Sequence, residues 1–201
     1  MRPQRLIQLL LALLLVTGCR SAPTTRYYVL APTRTAPEAV APSSESSSLR
    51  IGVEPFTVDP PYDRDQLVYR LGVDSVEVGF YSYHRWAAPL SDLVAVAMAE
   101  GLRGTPGIET IEPWSSGGDY DALLRGRVIY LEEIDVPGQQ EARLRLELRL
   151  VSVDGSTLWS QEVSGSASGQ SETVAQIVEQ LYAAFDEALE QARSGLARAD
   201  L

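Results

Sequence analysis

Few side chains in this sequence are suited to covalent or acid–base chemistry. The chain of 201 residues has one histidine, His84, one cysteine, Cys19, and no lysine, so all 17 of its basic residues are arginine. Without lysine there is no P-loop phosphate site and no Schiff-base chemistry. A single histidine and a single cysteine exclude clustered zinc sites and a disulfide framework. The residue inventory therefore excludes most catalytic classes.

The remaining catalytic and metal-binding patterns are incomplete. Residues 165–169 read Gly-Ser-Ala-Ser-Gly, which places serine at the wrong positions for a hydrolase turn, so we interpret them as a flexible exit from a strand. Asp119 and Asp121 lack the further ligands and the glycine of a calcium loop. No thiol or recognisable nucleophile accompanies His84. We predict no catalytic residue, no metal site, no cofactor and no enzymatic activity.

The most specific chemical signal lies at the N-terminus. Arg2 and Arg5 precede an apolar run over residues 6–16. As a helix this run rises only ~16 Å, against ~30 Å for the hydrocarbon core of a bilayer, and is typical of a secretory signal peptide. It leads into Leu15-Val16-Thr17-Gly18-Cys19, which resembles the bacterial lipobox. We predict cleavage before Cys19 and lipidation of its thiol; the alternative is an ordinary signal peptide that leaves a free cysteine.

The charge balance limits the partners. The formal charge is −10, and removal of residues 1–18 takes away two arginines and no acid, which makes it −12. Such a charge disfavours nucleic acid and anionic lipid surfaces. Stable anchoring needs more than one acyl chain. Arg20, and not aspartate, follows the cysteine, so we expect an outer-membrane lipoprotein whose domain lies in the periplasm.

The hydrophobic pattern predicts the elements that position these residues. Four leucines from Leu144 to Leu150 alternate with charged residues, which indicates a strand with one buried face. Thr173 and Gln176 are spaced for a helix capping box. Strands are expected over 27–30, 49–58, 66–71, 75–81, 108–114, 122–133, 141–153 and 157–164, with helices over 90–102 and 174–192. We predict an α+β fold, a largely antiparallel sheet with two main helices packed on one face.

The domain boundaries follow from composition. Residues 1–18 form the signal peptide, and residues 19–48 the lipidated N-terminus, with a short first strand and a spacer rich in Ala, Pro, Ser and Thr. In residues 31–48, 14 of 18 are of these four types, which suits either a tether or a long loop after the first strand. The folded domain is expected over 49–195, and a C-terminal tail over 196–201.

Two sequence runs concentrate arginine and aromatic side chains. They are Pro60-Pro61-Tyr62-Asp63-Arg64-Asp65-Gln66-Leu67-Val68-Tyr69-Arg70 and Tyr81-Ser82-Tyr83-His84-Arg85-Trp86-Ala87-Ala88-Pro89. Interface cores favour aromatic residues and arginine. The candidate partner-binding residues are therefore Tyr62, Arg64, Tyr83, His84, Arg85 and Trp86. The alternative is structural: Trp86 and Tyr83 pack under the helix that begins after Pro89, and His84 satisfies a buried carbonyl.

These runs, the lipobox and the early Tyr27-Tyr28-Val29-Leu30 together resemble the ABC-type transport auxiliary lipoproteins, a family that includes PqiC. The resemblance covers nearly the whole mature domain in the order of its elements. It implies a non-enzymatic outer-membrane lipoprotein that works with an MCE-domain periplasmic protein and its permease in intermembrane lipid transport. A homo-oligomer is compatible with such a role.

Two other classes of function stay open at this point. One is a lipoprotein of another envelope assembly machine, such as a chaperone for an outer-membrane protein. The other is a lipid-anchored periplasmic hydrolase, which the lack of a nucleophile motif disfavours. Co-purification with an MCE-domain protein would favour the transport role over both.

The lipobox gives the first testable prediction. Cys19→Ala should yield a protein that folds but does not attach to the membrane, because the thiol of Cys19 is not expected to contribute to folding. Incorporation of radiolabelled palmitate measures the effect, and wild-type incorporation into the variant would contradict lipidation at Cys19.

Overall fold

The computed structural model describes residues 23–32, 48–136 and 138–199. The predicted signal peptide, Cys19 and residues 33–47 of the spacer lie outside the described residues. The strands are β1 Arg26–Tyr28, β2 Leu49–Val53, β3 Thr57–Val58, β4 Gln66–Arg70, β5 Gly79–Trp86, β6 Ile108–Pro113, β7 Ala122–Val136, β8 Gln139–Ser152 and β9 Thr157–Gly169. The helices are α1, Leu90–Leu102, between β5 and β6, and α2, Val174–Arg198, after β9.

The long strand β7 organises the sheet. On one side it pairs antiparallel with β8 along its whole length, from Ala122 opposite Ser152 to Val136 opposite Gln139. On the other side the short strands β2, β3 and β4 follow one another along β7, each parallel to it. Two groups of strands therefore attach to one edge of β7, one near each of its ends.

The outer strands complete a mixed, mostly antiparallel sheet. Strand β6 pairs parallel with β2, and β9 pairs antiparallel with β8. At the other end of β7, β5 pairs antiparallel with β4, and β1 pairs parallel with β5. We call β4, β5 and β1 the β4–β5–β1 wing. The predicted α+β class with a largely antiparallel sheet is confirmed.

The predicted alternation in β8 is present. Its four leucines at 144, 146, 148 and 150 are buried, whereas Arg145 and Glu147 on the other face are substantially exposed. Directly opposed residues of neighbouring strands share a face. The leucines therefore define the inner, helix-covered face of the sheet, and the charged residues define its outer face.

Both helices cover the inner face and meet there. The capping box of α2 forms as predicted, since the Thr173 side chain accepts from the Gln176 N–H and the Gln176 side chain accepts from the Thr173 N–H. A Cβ atom on Gly101 of α1 would lie 2.2 Å from a methyl carbon of Leu189 of α2. The close approach of the two helices therefore requires glycine at this position. In the described part of the chain, no helix is long and apolar enough to span a bilayer.

Strand β5 differs from its predicted bounds of 75–81. Residues 75–78 belong to a loop closed by a hydrogen bond from the Ser75 N–H to the Gly72 carbonyl (3.2 Å). The strand instead continues to Trp86 because its last residues pair with β1, with Arg26 opposite His84. That partner is distant in sequence, so local periodicity does not reveal it. The predicted strand over 49–58 is likewise interrupted, into β2 and β3.

Residues 165–169 are part of β9 and not a flexible exit, which corrects the prediction. A Cβ atom on Gly165 would lie 1.9 Å from the Ala184 carbonyl oxygen, so glycine lets α2 pack directly against the strand. Gln191 of α2 accepts from the Ser164 N–H (3.1 Å) and donates to the Ser164 carbonyl (2.7 Å). Side chains of α2 thus cover the free edge of β9, which protects it from pairing with another strand.

Two of the expected domain boundaries shift. Helix α2 continues to Arg198 and buries Leu196, so the fold extends beyond residue 195 because that side chain packs into the core. Strand β1 is part of the same sheet although it precedes residue 49. The chain between β1 and β2 therefore connects two strands of one sheet.

The two faces of β8 give a stability prediction. Leu146→Asp and Leu148→Asp should each destabilise the domain by several kcal/mol, roughly the scale of its total stability, because the carboxylate has no partner on the inner face. Arg145→Ser should be tolerated because Arg145 lies on the outer face. Thermal denaturation followed by circular dichroism measures all three, and equal shifts would show that the faces are assigned wrongly.

Candidate partner-binding site

A buried carboxylate on β7 joins three segments of the chain beneath the candidate site. Glu132 accepts at Oε2 from the Tyr62 hydroxyl (2.6 Å) and from Arg70 Nε (2.7 Å). At Oε1 it accepts from Arg143 Nε (2.9 Å) and Nη2 (2.6 Å). Tyr62 precedes β4, Arg70 ends it and Arg143 lies on β8. We call these four residues the Glu132 network.

The network corrects the assignment of Tyr62 as a partner-binding residue. Its side chain is buried, and its hydroxyl also accepts from Arg70 Nη2 (3.0 Å). Burial raises the pKa of Tyr62 to about 12, although the hydrogen bond from Arg70 acts to lower it. The hydroxyl therefore stays protonated and donates to Glu132. Hydrogen bonds to Tyr62 and Glu132 raise the pKa of Arg70, which stays charged.

A second buried acid lies next to the first and faces the opposite way. Glu133 accepts from the Tyr81 hydroxyl of β5 (2.6 Å) on the inner face. Burial raises the pKa of both groups. Sequence reasoning missed both acids. The signal was present, because two consecutive acids in a strand place one side chain on each face, so one of them must lie on the buried face and needs a partner there.

Two further predicted residues serve the fold. Trp86 is buried in the core, as the structural alternative expects, and cannot touch a partner. The Arg64 guanidinium lies 3.6 Å from the centroid of the Phe80 ring, and its Nε donates to the Pro61 carbonyl (2.6 Å). Intramolecular contacts thus hold the Arg64 side chain, and its role as a partner-binding residue stays a prediction.

His84 is packed between two tyrosines. Its Nδ1 lies 2.8 Å from the Tyr28 hydroxyl, and the Tyr81 ring meets it edge-on at 5.6 Å between centroids. The predicted buried carbonyl is thus replaced by a tyrosine hydroxyl. Burial, assisted by the charge of Arg26, lowers the pKa of His84, so the ring is neutral at pH 7. The contact attaches β1 to β5.

The remainder of the predicted set, an exposed tyrosine and a partly exposed arginine, lies at the surface. Tyr83 is 44% exposed, and Arg85 forms an ion pair with Asp65 (2.6 Å). Tyr27 of β1 lies opposite Arg85 in the strand register and is also exposed. Tyr83 lies two residues before Arg85 in β5, and Tyr27 is the residue of β1 opposite Arg85; we call Tyr27, Tyr83 and Arg85 the β1–β5 patch. Sequence reasoning missed Tyr27 because the pairing of β1 with β5 is non-local.

A separate groove of about 560 Å³ lies on the outer face near the turn between β8 and β9. Two of its arginines, Arg125 and Arg127, pair with Glu54 (2.9 Å) and Asp59 (2.6 Å). These ion pairs neutralise most of its positive charge, which makes it a poor anion site. Among the described residues, no three His, Cys, Asp or Glu side chains are grouped so that they could hold a metal ion.

Comparison with solved structures supports the fold. The protein XCC0632 from Xanthomonas campestris, described as a DUF330 protein, matches with a TM-score of 0.57 and 20% identity over 81% of this chain and 91% of its own. A second protein, described only as uncharacterized, matches with a TM-score of 0.59 and 17% identity over 88% of this chain and 98% of its own. At these identities the likeness concerns the fold alone.

The class of protein is an auxiliary lipoprotein of membrane transport. The chain belongs to the ABC-type transport auxiliary lipoprotein family, whose sequence model matches residues 28–192. The match spans β2 to β9, α1, most of α2 and the end of β1, and it includes the Glu132 network, Tyr83 and Arg85. The family resemblance inferred from the sequence is confirmed. No curated protein matches the chain.

The Glu132 network gives a second stability prediction. Glu132→Ala should lower the free energy of unfolding by ~3 kcal/mol, because it leaves two guanidinium groups without their shared partner. Glu147→Ala is the matched control, since Glu147 is a half-exposed acid on the adjacent strand with a looser ion pair to Arg127 (3.4 Å). It should stay close to wild type in chemical denaturation. Equal losses in the two variants would contradict a structural role for Glu132.

Proposed function

We propose that this protein is a non-enzymatic, lipid-anchored component of an MCE/ABC-type, PqiABC-like intermembrane lipid transport system, and that it docks the transport assembly at the outer membrane. Membership of the transport auxiliary family carries the proposal. The lipobox supplies the attachment to the membrane, and the β1–β5 patch supplies a surface of suitable chemistry. The partner is an MCE-domain periplasmic protein.

The composition and place of the patch support a docking role. Aromatic side chains and arginine contribute most of the binding energy in protein interfaces. The patch lies at one end of the strand order, where β1 is the edge strand of the sheet. A partner can therefore contact the side chains of Tyr27, Tyr83 and Arg85 without displacing any other element.

The lipid and the patch act together in this proposal. A tether that keeps a protein near its partner raises the effective concentration of the docking surface without any new contact. Six residues separate Cys19 from Arg26, the first residue of β1, so the two ends of this segment lie at most ~25 Å apart. We call residues 20–25 the N-terminal lead. Its length sets the distance between the membrane and the domain, because the spacer of residues 31–48 follows β1.

The test is a binding measurement on patch variants. Tyr83→Ala and Arg85→Ala should each weaken co-purification of the MCE-domain protein from detergent extracts, by ~2 kcal/mol or about 30-fold in Kd for a central interface residue. Melting temperatures should stay near wild type, because both side chains lie at the surface.

Trp114→Ala is the matched control. Trp114 is 46% exposed, close to the 44% of Tyr83, and it follows β6 at the opposite end of the strand order. Binding lost with Trp114→Ala and kept with the patch variants would place the interface at the other edge. Mass spectrometry identifies the bound proteins, and recovery of a different envelope machine in place of an MCE-domain protein would contradict the transport role.

A further inference from the structure

The connection between β4 and β5 exposes an unusual amount of apolar surface. We call residues 71–78, Leu-Gly-Val-Asp-Ser-Val-Glu-Val, the β4–β5 loop. Leu71 and Val73 are more than half exposed, and Val76 is 93% exposed. Single exposed aliphatic residues are ordinary, but three within six residues of one loop form a contiguous apolar feature of the kind that marks a contact site.

Hydrogen bonds give this loop a defined shape. Arg70 Nη1 donates to the Ser75 carbonyl (3.1 Å), and the Glu77 N–H donates to the Ser75 hydroxyl (3.1 Å). Gly72 has a φ of +111°, a conformation that L side chains rarely adopt, where the chain turns. Because Arg70 also binds Glu132, the loop is attached through one side chain to the centre of the sheet. These hydrogen bonds therefore fix the loop conformation in which the three aliphatic side chains face the solvent.

The topology places this loop at the end of the domain from which the N-terminal lead departs. Strand β5 starts at Gly79, directly after the loop, and runs away from it. Strand β1 is parallel to β5 with Arg26 opposite His84, so the chain before Arg26 points back toward the loop. Cys19 precedes Arg26 by seven residues, and Glu77 precedes His84 by the same number. The lead is thus long enough for the lipid on Cys19 to reach the level of the loop.

We propose that the β4–β5 loop is a second membrane contact, in which Leu71, Val73 and Val76 enter the interfacial layer of the bilayer that holds the lipid of Cys19. The proposal rests on the lipidation included in the proposed function. Asp74 and Glu77 lie in the same loop, and the mature chain is acidic, so the contact is shallow and suits zwitterionic lipid. Two contacts would fix the orientation of the domain relative to the membrane, which a single lipid does not.

The experiment uses the full, lipidated protein in phosphatidylcholine vesicles. Cys19 is the sole cysteine, and lipidation blocks its thiol, so Val76→Cys offers one free thiol for an environment-sensitive fluorophore. We expect its emission to shift to the blue, to be quenched by doxyl-labelled lipid and to be protected from aqueous iodide. Val153→Cys is the matched control, because Val153 is 69% exposed and lies beyond the opposite end of β7.

Failure of the loop contact and failure of the lipidation at Cys19 give different results. Vesicle-bound protein in which both probes are quenched equally by iodide, and neither by doxyl lipid, would overturn the loop contact and leave the anchor intact. Wild-type protein that fails to float with vesicles, or that takes up maleimide at Cys19, would overturn the lipidation and the loop contact with it. Quenching of the Val153→Cys probe by doxyl lipid, without quenching of the Val76→Cys probe, would show that the opposite end of the domain faces the membrane.

Discussion

The attachment of the β4–β5–β1 wing to the rest of the sheet depends on the buried carboxylate of Glu132. Only Tyr69 and Arg70 of β4 pair with β7, so the backbone alone attaches the β4–β5–β1 wing weakly. Glu132 adds side-chain hydrogen bonds from both ends of the Tyr62 to Arg70 run. It also binds Arg143 on the other side of β7. A charged group in the interior is tolerated because its oxygens are bonded by two guanidinium groups and a hydroxyl.

This arrangement explains why residues with interface-like chemistry lie in the interior. Strand β4 carries β5, and β5 carries β1, so the positions of the β1–β5 patch and of the β4–β5 loop both follow from the attachment of β4. Tyr62 and Arg70 bind Glu132 within the domain, and they are positioning residues for the surfaces proposed to contact a partner. Trp86 acts similarly from the core, where it fixes the end of β5 that pairs with β1.

The contrast between prediction and structure follows from the range of the interactions involved. The leucine alternation of β8 and the capping box at Thr173 depend on neighbours within a few residues, and sequence periodicity was enough to predict them. The end of β5 depends on a strand more than fifty residues earlier, and local pattern gave the wrong bounds. Arginine and tyrosine suit a buried polar network as well as an interface, so composition alone could not separate Tyr62 from Tyr83. The two consecutive acids in β7 were the better sequence signal for a buried polar network.

The place of β1 also constrains how any partner meets this protein. Because β1 is a strand of the sheet, the spacer after it cannot lengthen the connection between the proposed lipid and the domain. Arg26 is the seventh residue after Cys19, so the two lie at most ~25 Å apart, and Tyr27 of the patch is the next residue along the chain. In the proposed arrangement, a partner that contacts the patch therefore comes close to the membrane surface. That geometry suits a component at the membrane-proximal end of a transport assembly, and it does not suit one that reaches across the periplasm on a long tether.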